Sequence, residues 1–170
     1  MTETEWQYYP KSDSIPTHLI KVIGIFKKHE VRIRSSSEKL HSNEVLSVLR
    51  IGLLNNGFVV EKSKLKKDTI KVPVLFGRNG TLEKYFEADA YNKKTKTVLE
   101  VEAGRGVMNN QFLKDLFQAC MMHDTDYFVI AIRKKYLRSN DFAEVVAFFD
   151  ALYAGRRLML PLKGILVIGY

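Results

Sequence analysis

Two short stretches, Phe86-Glu87-Ala88-Asp89-Ala90-Tyr91 and Val98-Leu99-Glu100-Val101-Glu102-Ala103, decide how the chain is read. Side chains of a strand alternate between its two faces. Alternation puts Glu87 and Asp89 on one face of the first stretch, with Phe86, Ala88 and Ala90 opposite. It likewise puts Glu100 and Glu102 together, with Leu99, Val101 and Ala103 opposite. The intervening Asn92-Lys93-Lys94-Thr95 has turn chemistry, which predicts an antiparallel hairpin of strands Lys84 to Tyr91 and Lys96 to Ala103. A hairpin symmetric about Lys94 and Thr95 sets Asp89 opposite Glu100 and Glu87 opposite Glu102. Four carboxylates then converge on one face. Like charges directly opposite one another destabilise a sheet. A bound cation, or a proton taken up by a carboxylate, relieves them. Oxygen donors favour magnesium, manganese or calcium over zinc. The other reading of the same pattern is an acidic hairpin face open to water.

Working outward, Pro16 opens a helix to about His29 with an apolar stripe of Leu19, Ile20, Val22, Ile23 and Phe26. Val31 to Arg34 alternates like a short strand. A second helix starts near Ser42 or Asn43, buries Val45, Leu46, Leu49 and Leu53, and ends at Asn55-Asn56-Gly57. Phe58 to Val60 is a strand, and Lys62 to Lys71 a basic connector. Past the hairpin, a helix from about Asn110 to His123 presents Leu113, Leu116, Phe117, Cys120 and Met121 on one face. Tyr127 to Ile132 is an apolar run of the kind found in buried strands. Asp141 caps a further helix, with Glu144 completing a capping box, and Gly164 to Gly169 is a last strand. This order predicts an α/β sandwich, a central mixed sheet flanked by helices. Residues 1–15 form an irregular N-terminal arm and residues 16–170 a single domain.

The chain has 170 residues, 46% apolar and 27% charged, a globular mixture without repeats or low-complexity segments. No apolar run reaches the roughly 20 residues of a membrane helix. The acidic, polar start is no secretory signal. The single cysteine, Cys120, suits a reducing, cytoplasmic setting. A net charge of +8 favours polyanionic partners, although a solvated lysine-rich surface would have the same composition. His18, His29, His41 and His123 show no metal-ligand spacing. There is no glycine-rich phosphate loop, dinucleotide fingerprint or nucleophile elbow.

Asp89, ten residues and then Glu100-Val101-Glu102 resembles the signature of the PD-(D/E)xK nuclease superfamily. Ala88 replaces the proline and Glu102 the final lysine. The second departure is similar to the BamHI-like Glu-x-Glu and the BglII-like Glu-x-Gln. Glu102-Ala103-Gly104-Arg105 with Phe112 to Phe117, the strand Tyr127 to Ile132, and Tyr153-Ala154-Gly155-Arg156-Arg157 with Leu160 to Gly169 resemble the BglII-type elements that follow. The resemblance covers roughly residues 16–170 and is strongest after residue 85.

That resemblance implies a restriction endonuclease-like fold and a Mg²⁺-dependent endonuclease on double-stranded DNA, with Mn²⁺ able to substitute. Asp89, Glu100 and the Val101 backbone carbonyl would hold the metal. Glu102 would orient or deprotonate the attacking water, or bind metal itself. Glu44, in the first turn of the second helix, is the candidate accessory acid; its alternative is a glutamate that complements the helix dipole. Glu87 fits the spacing to Glu100 less well than Asp89. Arg105 and the strand-end cluster Arg133, Lys134 and Lys135 are candidate DNA contacts, with solvated cations as the alternative. Arg156-Arg157 suits phosphate contact or the end of a helix. A type II restriction enzyme with one active site per chain implies a homodimer on a palindromic target. The alternatives are a catalytically silent DNA-binding protein of the same fold, or a repair or processing nuclease without sequence specificity.

Overall fold

Apolar side chains at every second position of three central strands meet two layers of helices, and that alternation organises the chain. The computed structural model describes residues 3–63, 65, 67–104, 107–135 and 138–170. In chain order its elements are β1 (Glu5–Tyr9), α1 (Thr17–Ile33), α2 (Ser42–Asn55), β2 (Val59–Val60), β3 (Ile70–Phe76), β4 (Leu82–Ala88), β5 (Ala90–Asn92), β6 (Thr97–Glu102), α3 (Gln111–Met121), β7 (Tyr127–Ile132), α4 (Asp141–Gly155) and β8 (Gly164–Gly169). Among the described residues one sheet runs in the order β1-β8-β7-β6-β5-β2, and β3 with β4 forms a separate two-stranded ribbon. β6, β7 and β8 are parallel neighbours; β1, β5 and β2 pair antiparallel. The chain is therefore an α/β protein with a central mixed sheet flanked by helices, as its sequence predicts.

The crossovers β6-α3-β7 and β7-α4-β8 step the same way along the sheet. Crossovers of one hand that step one way place their helices on one face. Accordingly Val98, Ile130, Ile132 and Val167 pack with Phe112, Leu116, Val145 and Phe149. On the other face Leu99, Val101, Val129 and Leu166 pack with Leu19, Phe26, Leu49 and Leu53 of α1 and α2. Glu100 and Glu102 share the alternation of Val98, which turns them toward α3.

Several expectations need correction. The arm is not irregular: Glu5–Tyr9 adds an antiparallel strand to β8, in register from Glu5↔Gly169 to Tyr9↔Ile165. Val31 to Ile33 is the last turn of α1, not a strand. A core-facing helix buries only one of those two apolar side chains, and Ile33 is 1% exposed against 69% for Val31. The basic connector runs into β3, a strand that Pro73 hides because proline cannot donate to a ladder. The buried face of α3 is Phe112, Asp115, Leu116 and Ala119; Phe117 and Met121 are exposed. Asn140, not Asp141, caps α4, accepting the Ala143 N–H at 3.1 Å. No helix among the described residues is long and apolar enough to cross a membrane.

Phe149 has no exposed surface and packs against the rings of Tyr9, Phe148 and Phe112 at 5.5, 5.5 and 6.5 Å. Phe149→Ala is expected to cost about 3–5 kcal/mol through lost transfer energy and a cavity. Ile51→Ala, at a side chain 72% exposed, should change stability by less than about 0.5 kcal/mol. Urea denaturation of the two variants checks this; equal losses would refute the layer assignment.

Candidate active site

β4 ends at Ala88 and β5 begins at Ala90, so Asp89 occupies a break where the chain leaves the ribbon and enters the main sheet. Its backbone carbonyl accepts the Glu61 N–H at 2.8 Å. Its carboxylate accepts the Val101 N–H, also at 2.8 Å. The hairpin register is the one the turn predicts, with Ala90↔Leu99, Tyr91↔Val98 and Asn92↔Thr97. The expected Glu87 and Glu102 pair does not form, because β4 peels away before it. Glu87 is exposed and stands opposite Lys71 of β3.

Asp89, Glu100 and Glu102 line one cavity of about 670 Å³. Two acids that sequence reasoning missed join them there, Glu61 after β2 and Asp115 on α3. Both are buried, at 3% and 4% exposure. Asp115 had a legible signal, a carboxylate within the buried stripe of Phe112, Leu116 and Ala119. Glu61 had only its place at the end of an apolar strand. Gln111, Lys114 and Gln118 line the cavity from the same side of α3, and Lys114 Nζ lies 3.3 Å from Asp115 Oδ1. The first residues of α2 close another wall, and Ser42 Oγ accepts the Ala103 N–H at 3.1 Å. A helix N-terminus carries partial positive charge, so α2 offsets part of the acids' repulsion.

The offset is incomplete. Burial, then the charges of Asp89, Asp115 and Glu102, push the Glu100 carboxyl well above the usual carboxylate range. Burial, then Asp115, push Glu102 up to about 8. Burial raises Asp115 also, against a hydrogen bond with Glu102 and the nearby Lys114 that lower it. The rise of Glu102 to about 8 favours its protonated form near neutral pH. Asp115 Oδ2 is buried and meets no conventional donor among the described residues.

These groups fit a hard divalent cation in donor chemistry: they are carboxylate oxygens, short of positive charge, with one buried oxygen unsatisfied. They are not a preformed cage. Among the described residues no three His, Cys, Asp or Glu side chains stand around a common point at coordinating positions. A cation would have to draw Glu100 and Asp115 toward Asp89, displacing the protons that burial favours on the raised carboxyls.

The other candidates are placed differently. Val101 stands in the cavity wall and gives its N–H to Asp89. Glu44 is exposed and accepts the His41 N–H at 2.7 Å, closing the capping box of α2. It is a helix cap and not a cavity acid, since the hydrogen bond turns it back on its own helix. Arg133 is 8% exposed and donates to the Leu40 carbonyl at 2.7 Å. Lys134 donates to the Glu3 carbonyl at 2.8 Å and pairs with Glu5. Both cations fasten the chain's own segments. Lys135 is exposed but does not line the cavity. Arg105 lies outside the described residues.

A proton held by folded Glu102 up to about pH 8 is released by the unfolded chain near pH 4.5. Stability from this group therefore falls as pH rises through that window. Glu102→Gln is expected to raise Tm by about 2–5 °C at pH 8.5 without divalent ions and to change it little at pH 5. Added Mg²⁺ should raise the wild-type Tm at pH 8.5 and narrow the gap; a variant less stable than wild type at pH 8.5 would contradict the charge reading. No family model matches the chain and no curated protein matches it in sequence.

Proposed function

We propose that the chain is a divalent-metal-dependent endonuclease that hydrolyses phosphodiester bonds of double-stranded DNA, in the manner of the BglII/BamHI-like type II restriction enzymes it resembles. The observation that carries this reading is the meeting of Asp89, Glu100 and Glu102 in one cavity, where burial and the neighbouring acids push the Glu100 and Glu102 carboxyls up. Exposed acids on a solvated hairpin would carry no such cost. A net charge of +8 on a chain whose cavity is acidic favours a polyanion held by the surrounding surface.

Asp89, Glu100 and Asp115 would hold Mg²⁺ or Mn²⁺. The ion supplies Lewis acidity toward a phosphate oxygen and lowers the pKa of a water. Asp89 is fixed by the Val101 N–H, which keeps it beside β6 whatever the neighbouring side chains do. Glu102, relieved of its proton, would accept one from the attacking water. Lys114 is the lysine lining the cavity among the described residues. It stands where it can meet a phosphate and assume the charge that a lysine at position 102 would have given. Cutting both strands calls for a homodimer, one cavity per strand.

The test is cleavage of supercoiled plasmid and phage DNA in Mg²⁺ or Mn²⁺. Glu100→Ala should lower the rate on the order of a thousandfold, about 4 kcal/mol of transition-state stabilisation. Lys114→Ala should lower it roughly 10- to 100-fold, with some loss of Tm from the broken Asp115 pair, and EDTA should abolish it. DNA binding without cleavage by the wild-type protein, across both ions, would contradict the nuclease reading and leave a binding protein of this fold.

A further inference from the structure

The β3–β4 ribbon belongs to neither face of the main sheet. Its base is anchored in the core by Val72 and Ala88, 1% and 3% exposed, and by the Pro73 carbonyl, which accepts the His123 N–H at 2.7 Å. Its second strand also walls the carboxylate cavity through Tyr85, Phe86 and Glu87. Whatever places a phosphate in that cavity therefore lies along the ribbon. β4 walls the cavity as far as Tyr85, so at about 3.3 Å per residue its tip-side end stands roughly 10 Å beyond the cavity edge. That reach is comparable to the roughly 8.5 Å depth of the DNA major groove, which admits a two-stranded ribbon.

The tip is held stiffly. The Gly77 N–H donates to the Thr81 carbonyl at 2.7 Å and the Gly80 N–H to the Gly77 carbonyl at 3.1 Å. Thr81 Oγ1 donates to the Arg78 carbonyl at 3.0 Å. Asn79 takes the left-handed conformation, with φ 57°, and Gly80 follows at 74°. Arg78 and Asn79 are exposed, and their side chains make no hydrogen bond or ion pair among the described residues. Arginine and asparagine are the side chains that pair bidentately with guanine and adenine edges. Leu75 and Leu82 beside them are about half exposed, apolar surface suited to thymine methyl groups. Farther down, Lys71 lies over the Tyr85 ring at 4.8 Å and Lys84 over Phe86 at 5.4 Å, which puts a cation on each face of the ribbon.

We infer that the β3–β4 ribbon is the sequence-reading element, and that Arg78 and Asn79 at its rigid tip contact base edges in the major groove of duplex DNA held at the carboxylate cavity. This rests on the DNA reading of the cavity and adds to it the element that selects the target. A left-handed turn alone would favour asparagine at position 79, so the test separates turn from contact. Asn79→Gly keeps the turn and removes the amide, and Arg78→Lys keeps the charge and removes the bidentate fork.

Selection from a randomised DNA duplex pool in Ca²⁺ reads the preference without requiring cleavage. The wild-type protein should enrich a defined sequence. The Arg78→Lys/Asn79→Gly variant, with unchanged Tm, should lose roughly tenfold or more of its preference at one or two base pairs and keep it elsewhere. Lys71→Ala should weaken all sequences alike and flatten the salt dependence. Identical enrichment by wild type and double variant would overturn the inference, as would wild type enriching no sequence. Enrichment that behaves as expected in a protein that never cleaves would refute the nuclease reading alone and leave the ribbon's role standing.

Discussion

At Asp89 the chain leaves the ribbon and enters the main sheet, and the carboxylate there accepts the Val101 N–H at 2.8 Å. Most of the site follows from that bond. It replaces a ladder contact that the strand break would forfeit, and it ties the end of β4 to the C-terminal end of β6. It also brings a third acid beside Glu100 and Glu102, which alternation has already turned toward α3. A backbone N–H is a donor the fold cannot withdraw, so Asp89 stays in place while its neighbours compete for protons.

The two helical layers then do opposite things to the cluster. α3 buries it and adds Asp115, which raises the cost of charge. α2 brings its N-terminus to the cavity wall and ties Ser42 to the end of β6, which lowers that cost. The surplus is what the account turns on. A fold with apolar layers this well filled has no structural need for buried carboxylates facing one another. A ligand that arrives with positive charge turns their repulsion into affinity.

Much of this was legible in the chain. β7 and β8 lie where their uninterrupted apolar runs put them, because a strand covered on both faces needs no polar positions. The hairpin register followed from Asn92 to Thr95, since a turn fixes which residues stand opposite. What failed required tertiary knowledge. Glu5 to Tyr9 mixes charge and aromatics, and only its pairing with β8 makes it a strand. Glu61 comes from an element remote in sequence from Glu100 and meets it only through the packing of β2. Arg133 and Lys134 carry the composition of a nucleic-acid contact, yet their cations face the Leu40 and Glu3 carbonyls. Charge type did not reveal which cations were already engaged within the fold.

The claim that these acids form a metal site is tested most directly by Mn²⁺ binding at pH 7.5, read by electron paramagnetic resonance or calorimetry. Wild type would be compared with Glu100→Ala and Asp115→Asn. The account predicts saturable binding by the wild-type protein, released protons, and at least about tenfold weaker binding in each variant that still folds. Binding that is absent in wild type, or equal in all three, would contradict it.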